Sequence, residues 1–123
     1  MSIKENVQKL IALAEQGKFM DAIQQFYAED ATMQENNAPP RVGLAALLEN
    51  ERRFLASIKG ITSKVDSFIS DGNRAAINWT FEITNLKGQK NTLNEVAYQL
   101  WQDDKIIREK FYYDPSQLAA PTQ

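Results

Sequence analysis

The chain has no histidine and no cysteine among its 123 residues. Without cysteine there is no disulfide and no thiolate chemistry, a composition that fits a reducing compartment. Without histidine, acid–base work falls to carboxylates, tyrosines or a lysine of shifted pKa. A zinc site loses its usual ligands, and no spacing of carboxylates suggests a site for a hard cation. No cofactor and no metal is therefore expected. The formal charge is −2 and no basic cluster stands out, so nothing tracks a phosphate backbone and no nucleic-acid partner is expected. No apolar run approaches the length of a signal-peptide core or the ~20 residues of a membrane span. The expectation is a cytoplasmic protein with no membrane partner.

Helical spacing comes first along the chain. Ile3, Val7, Leu10, Ile11 and Ala14 predict a helix from about Ser2 to Gln16, stopped by Gly17. Phe19, Ala22, Ile23 and Phe26, with Tyr27 beside them, predict a second, shorter helix. Ala31 to Glu35 reads as a short strand, and Asn36 to Pro40 as a loop, because two prolines do not sit in a central strand. Leu44, Leu47, Leu48, Leu55 and Ile58 predict a third helix that opens near Gly43 and stops at Gly60. From there the period becomes two. Strands are predicted at 64–70, 75–84, 92–101 and 105–113, with turns at Asp71-Gly72-Asn73, Asn85–Gly88 and Asp103-Asp104. Asp114-Pro115 ends the sheet. Residues 1–115 then form one domain, and 116–123 a frayed tail. Three N-terminal helices followed by an antiparallel-rich meander make an α+β layout, in which a curved, cone-shaped sheet packs on the helices around a central pocket.

The order of these elements carries a resemblance. A helical hairpin leads into Tyr27-Ala28-Glu29-Asp30-Ala31-Thr32, then a short acidic strand, then Pro40-Arg41-Val42-Gly43 and a helix. The meander ends in Lys105-Ile106-Ile107-Arg108-Glu109-Lys110-Phe111-Tyr112-Tyr113-Asp114. From Val7 to Pro115 the chain resembles the nuclear transport factor 2-like superfamily, and within it the SnoaL-like group, named for a polyketide cyclase. The resemblance implies the cone fold, a small apolar ligand and a homodimer. It does not imply one activity, since the superfamily holds ketosteroid isomerase, scytalone dehydratase, limonene epoxide hydrolase, polyketide cyclases and non-enzymes. Matched to ketosteroid isomerase, Glu35 takes the general-base position, but Leu10 and Ala97 fall where that enzyme's two oxyanion donors would stand. An isomerase of that kind is not expected, because a base alone forfeits the larger catalytic contribution. An Asp-Arg-Asp set for epoxide hydrolysis cannot be placed, and the histidines of scytalone dehydratase are absent. A cyclase-type proton transfer by a carboxylate stays open.

Three glutamates are the candidate catalytic residues. Glu51 falls within the third helix's apolar stripe, four after Leu47 and four before Leu55; it faces either the pocket or a cation at the stripe's edge. Glu35 stands at the cavity mouth or is an exposed strand end. Glu109 falls in the set Ile107, Glu109, Phe111 and Tyr113, which is more apolar than its alternates and is read as inward; Glu109 then needs a partner, an arginine from the helices being the structural choice. On the strand before it, Glu95, Ala97, Gln99 and Trp101 share one face, and Val96, Tyr98 and Leu100 the other. Apolar content favours the second face as inward and the resemblance favours the first; the first is adopted. Tyr27, Phe54, Trp79, Phe111 and Tyr113 join Glu95, Gln99 and Trp101 as candidate ligand contacts, although Tyr27, Phe54, Trp79 and Phe81 are each of a kind more often found in a plain core. Arg41 either meets an anionic ligand or one of the glutamates, or is a surface residue pairing with Asp30 or Glu29; the second reading is adopted. Two functions follow: an enzyme performing proton transfer, dehydration or cyclisation, with Glu35 as base, Glu51 or Glu109 as acid and Tyr27 or Tyr113 as a further donor, or a non-catalytic ligand-binding or dimerisation module.

Overall fold

The structure, a computed structural model, describes residues 2–119. Helix α1 (Ile3–Glu15) starts at Ser2, whose hydroxyl accepts from the Glu5 amide and donates to the Glu5 carboxylate, which satisfies an amide the first turn leaves open. The stripe of Val7, Leu10, Ile11 and Ala14 is buried. At its end Gly17 takes φ +79°. This lets the Lys18 amide reach the Leu13 carbonyl at 2.9 Å and the Gly17 amide reach Ala14 at 3.0 Å, a Schellman closure that only an unstrained left-handed residue permits. Helix α2 (Phe19–Phe26) buries Ala22, Ile23 and Phe26 and runs without a loop into β1 (Tyr27–Glu35). A two-residue strand, β2 (Arg41–Val42), precedes α3 (Leu44–Ala56). Four long strands follow: β3 (Ile58–Asp71), β4 (Arg74–Asn85), β5 (Lys90–Gln102) and β6 (Lys105–Tyr113).

The six strands form one mixed sheet in the order β2-β1-β6-β5-β4-β3. Only β1 and β6 run parallel; the other pairs are antiparallel. The sheet is curved and unclosed, and the three helices cover its concave face, giving the α+β cone expected from the sequence. Asp103 and Asp104, both at positive φ (52° and 63°), make the tight turn whose twist matches the strands they join. Trp101, 1 % exposed, anchors the interior, with Leu47, Ile77 and Ile106 also fully buried. It meets Phe26 edge-on at 6.0 Å between ring centroids, a favoured aromatic geometry.

Four expectations are corrected by the structure. The strand expected at Ala31 starts at Tyr27, its pairing with β6 shifting register between Tyr27 and Thr32. The third helix does not reach Gly60. It ends at Ala56, where the Ser57 hydroxyl and amide both bond the Phe54 carbonyl, and Ile58 and Gly60 pair with Asn85 and Thr84 on β4. A long hairpin partner thus outweighs the helical spacing of Ile58. In β6 it is Ile106, not Ile107, that is buried. The β5–β6 register slips between Leu100 and Trp101, so inward positions are Ile106 and Glu109, three apart rather than two. The segment expected to fray from Ser116 is anchored over its first part. Pro115–Leu118 forms a 3-10 turn, and Asn91 donates to the Gln117 and Ala119 carbonyls. The rest of that segment, 120–123, lies outside the described residues. No helix among the described residues is long and apolar enough to cross a membrane.

Candidate functional site

Between the helices and the concave sheet lies a cavity of about 360 Å³, near the lower end of the ~300–1,000 Å³ typical of ligand sites. Its wall is mostly apolar. Leu10, Ile23 and Phe54 close it from the helices, and Trp79 and Phe81 from β4, their rings stacked at 5.3 Å. Into this setting the fold brings four carboxylates, Glu35, Glu51, Glu95 and Glu109, and one cation, Arg41.

At the mouth, Glu35 ends β1 and Arg41 opens β2. Arg41 Nη1 donates to Glu35 Oε2 at 2.6 Å, and Tyr113 Oη, from the end of β6, donates to Glu35 Oε1 at 2.7 Å. Partial burial pushes Glu35 up, but the hydrogen bonds from Tyr113 and Arg41 and the charge of Arg41 outweigh it and hold the carboxyl below its ordinary value. Tyr113 is raised to about 12, first by burial and then by Glu35. Arg41 therefore meets Glu35, not the expected Asp30 or Glu29. The β2–β1 pairing sets Arg41 opposite Met33, two residues from Glu35.

Deeper, Glu109 is 2 % exposed. The Tyr27 hydroxyl donates to its Oε1, and Gln99 Nε2 donates to its Oε2 at 2.7 Å. Gln99 is held in turn by Trp101, whose indole N–H donates to Gln99 Oε1 at 3.0 Å. The partners of Glu109 are thus neutral donors and not the arginine that sequence reasoning offered. Burial lifts Glu109 to about 7 against the pull of both hydrogen bonds, and Glu51 adds repulsion. Tyr27 is pushed well above its ordinary value, by burial first and by Glu109 next.

Glu95 differs from both. It stands on β5 between Trp79 of β4 and Tyr113 of β6, faces the cavity and is 8 % exposed. No hydrogen bond or ion pair reaches its carboxyl from the described residues. Burial, followed by the charges of Glu109, Glu35 and Glu51, raises it to about 8, so near neutral pH it holds a proton. Glu51, half-buried on α3, is also unpartnered and raised, by burial and then by Glu35. No group of three or more carboxylates among the described residues is arranged to hold a metal ion.

Of the residues singled out from the sequence, Glu35, Glu51, Glu95 and Glu109 share this cavity with Tyr27, Phe54, Trp79, Phe111 and Tyr113. Gln99 and Trp101 do not line it. They lie fully buried behind Glu109 and orient it. Leu10 lines the cavity and Ala97 is buried without exposure, so the two positions matched to oxyanion donors carry none. A donor is nonetheless present two residues from Ala97, on the same strand face, in the neutral carboxyl of Glu95. Sequence reasoning weighed Arg41 against one of the glutamates but adopted the surface reading, and so left it out of the wall. The Pro40-Arg41 step two strand positions from an acidic strand end was the available signal. It also missed Leu118, whose docking depends on the Gln117 contacts with β5.

Comparison with known proteins agrees with this architecture. Residues 7–109 match the family model described as a SnoaL-like domain. An NTF2-like protein of unknown function from Burkholderia pseudomallei superposes with a TM-score of 0.84 at 16 % identity, covering 96 % of this chain and 95 % of that one. A protein provisionally called a SnoaL-like polyketide cyclase, from Mesorhizobium loti, gives 0.79 at 24 % identity over 92 % and 100 %. TerC, co-crystallised with polyporic acid, gives 0.80 at 20 % identity over 93 % and 92 %. At these identities the likeness concerns the fold alone. No curated protein sequence matches this one. With a family model spanning most of its length, the chain belongs to the SnoaL-like domain family.

Proposed function

We propose that this chain binds a small, mostly apolar molecule and moves a proton within it, as a carboxylate-based isomerase, cyclase or dehydratase. The observation that carries the reading is the separation of two carboxyls on one cavity wall. Glu35 is held ionised at the mouth and Glu95 is held protonated inside it. Environments that push two carboxyls apart in this way divide the roles of base and acid. Glu35 is the base that accepts a proton from substrate carbon. Glu95 is the donor to the oxygen on which charge develops, in the part otherwise open to Glu51 or Glu109. Glu109, satisfied by Tyr27 and Gln99, fixes the floor of the site, and Glu51 adds negative charge that keeps Glu95 neutral. The apolar wall excludes water and strengthens each of these interactions.

The test is deuterium exchange from D2O into the carbon acid positions of a panel of small cyclic ketones, followed by NMR. Exchange by the native protein that falls at least about a hundredfold in Glu35→Gln and in Glu95→Gln supports the reading. Ketones that bind without any protein-dependent exchange overturn it in favour of a non-catalytic ligand-binding module. One observation favours that second reading: the hydrogen bonds from Arg41 and Tyr113 that keep Glu35 ionised also make it a weaker base. The assembly we propose is a homodimer, supported by Tyr98 and Tyr112, 39 % and 47 % exposed on the outer face of β5 and β6. A strictly monomeric mass in light scattering overturns it.

A further inference from the structure

The cavity is chemically lopsided. Four carboxylates line it, against one cation that is already bonded to Glu35. Glu95, more than nine-tenths buried, points its carboxyl into the space and receives no hydrogen bond from the described residues. The oxygens of that carboxyl open onto the cavity, so whatever fills the space is left to satisfy them, and the same cavity offers the stacked rings of Trp79 and Phe81 together with Phe54 and Phe111. A carboxyl that can give up its proton beside aromatic faces is the complement of an organic cation, which the resulting carboxylate pairs with and the ring faces attract. A neutral alcohol or ketone meets only part of this wall, and a carboxylate ligand meets repulsion from it.

We infer that the molecule this cavity accepts carries a basic nitrogen on an apolar ring or chain, with the nitrogen seated at Glu95. The inference rests on the reading of the cavity as a small-molecule site and narrows what it holds most tightly to amines; with an amine seated, Glu95 is ionised and no longer donates to a substrate oxygen, so such a molecule is held as a ligand and is not turned over by the proton transfer proposed above. Binding of the protonated amine displaces the proton that Glu95 holds. The N–H+ then donates to the freed carboxylate, and that proton leaves to solvent. Every charged group facing this seat acts in the same direction or is already paired. Glu51 and Glu109 are acidic, Glu35 is joined to Arg41, and the hydroxyls of Tyr27 and Tyr113 are committed to Glu109 and Glu35.

Three naphthalene probes of one shape separate the possibilities: 1-naphthylmethylamine, 1-naphthalenemethanol and 1-naphthoate. Their binding is measured by calorimetry at pH 7 in two buffers of unlike ionisation enthalpy. The amine is expected to bind at least about tenfold tighter than the alcohol, to release about one proton per site, and to leave the carboxylate weakest. In Glu95→Gln, which keeps the shape and removes the charge, the amine's advantage is expected to shrink to about threefold or less, with no proton released. Glu51→Gln, on α3 and less buried than Glu95, is expected to keep most of the preference and the proton release. An alcohol that binds as tightly as the amine overturns the inference while leaving the cavity reading intact. So does an amine preference that survives unchanged in Glu95→Gln. Failure of all three probes to bind overturns both.

Discussion

Replacing Glu95 by glutamine should make the protein more stable, and more so the higher the pH. Glu95 is buried, unpartnered and raised from an ordinary 4.5 to about 8. The folded state therefore binds its proton more tightly than the unfolded chain does. Between those two values the folded state holds more protons, so stability falls as pH rises through the window and the loss is complete above pH 8. Moving a carboxyl that far costs its ionised form on the order of 5 kcal/mol. Water entering the open cavity and relaxation of its wall screen part of this, which leaves ~3 kcal/mol. Glutamine carries no such penalty at any pH. Urea unfolding of both proteins from pH 5 to pH 9 measures the difference. At pH 5 the two should agree within ~1 kcal/mol, because a neutral acid is being exchanged for a neutral amide. By pH 9 the variant should be ahead by ~3 kcal/mol, a midpoint shift of roughly 2 M at about 1.5 kcal/mol per molar urea. A residual decline in the variant belongs to Glu109, raised to about 7 for the same reason. Parallel curves, or a variant that loses ground as pH rises, would refute the claim that Glu95 is buried without a partner.

Three further outcomes follow from the same geometry. Tyr27→Phe removes a donor from Glu109; it should push that carboxyl higher, as seen by carbon-13 NMR titration, and cost ~1–2 kcal/mol of stability. Arg41→Met should let Glu35 rise in the same titration, yet change stability by less than ~1 kcal/mol, because the Arg41 and Glu35 side chains are 40 % and 37 % exposed. Trp101→Phe opens a void against Phe26 and leaves Gln99 without its donor; thermal unfolding should report a loss of roughly 2–4 kcal/mol.

The sequence made the fold legible wherever local period and tertiary role coincide. The α1 stripe and the strict alternation of β4 from Ala75 to Ile83 read directly as buried faces. It was least legible where a partner overrides the local signal. Ile58 keeps helical spacing with Leu44 and Leu55, but the ladder to β4 claims it. Ile107 has the right parity to face inward, but one register slip beside Trp101 hands that place to Ile106. The candidate site divides in the same way. Strand parity places Glu109 on the concave face, the resemblance places Glu95 there against the apolar content of its strand, and helical spacing allows Glu51 there. Parity says nothing about partners, however. That Glu109 is satisfied by Tyr27 and Gln99 while Glu95 receives nothing depends on which side chains the folded sheet sets opposite each other, and it is this difference that separates a satisfied carboxyl from one left open to the cavity.

The most direct measurement is the carbon-13 titration of the glutamate carboxyls in the native protein, with Glu35, Glu95 and Glu109 assigned through their glutamine variants. The account predicts midpoints near 7 and 8 for Glu109 and Glu95, in coupled steps, and a midpoint below the ordinary value for Glu35. Three carboxyls titrating together between about pH 4 and pH 5, as surface groups do, would contradict it.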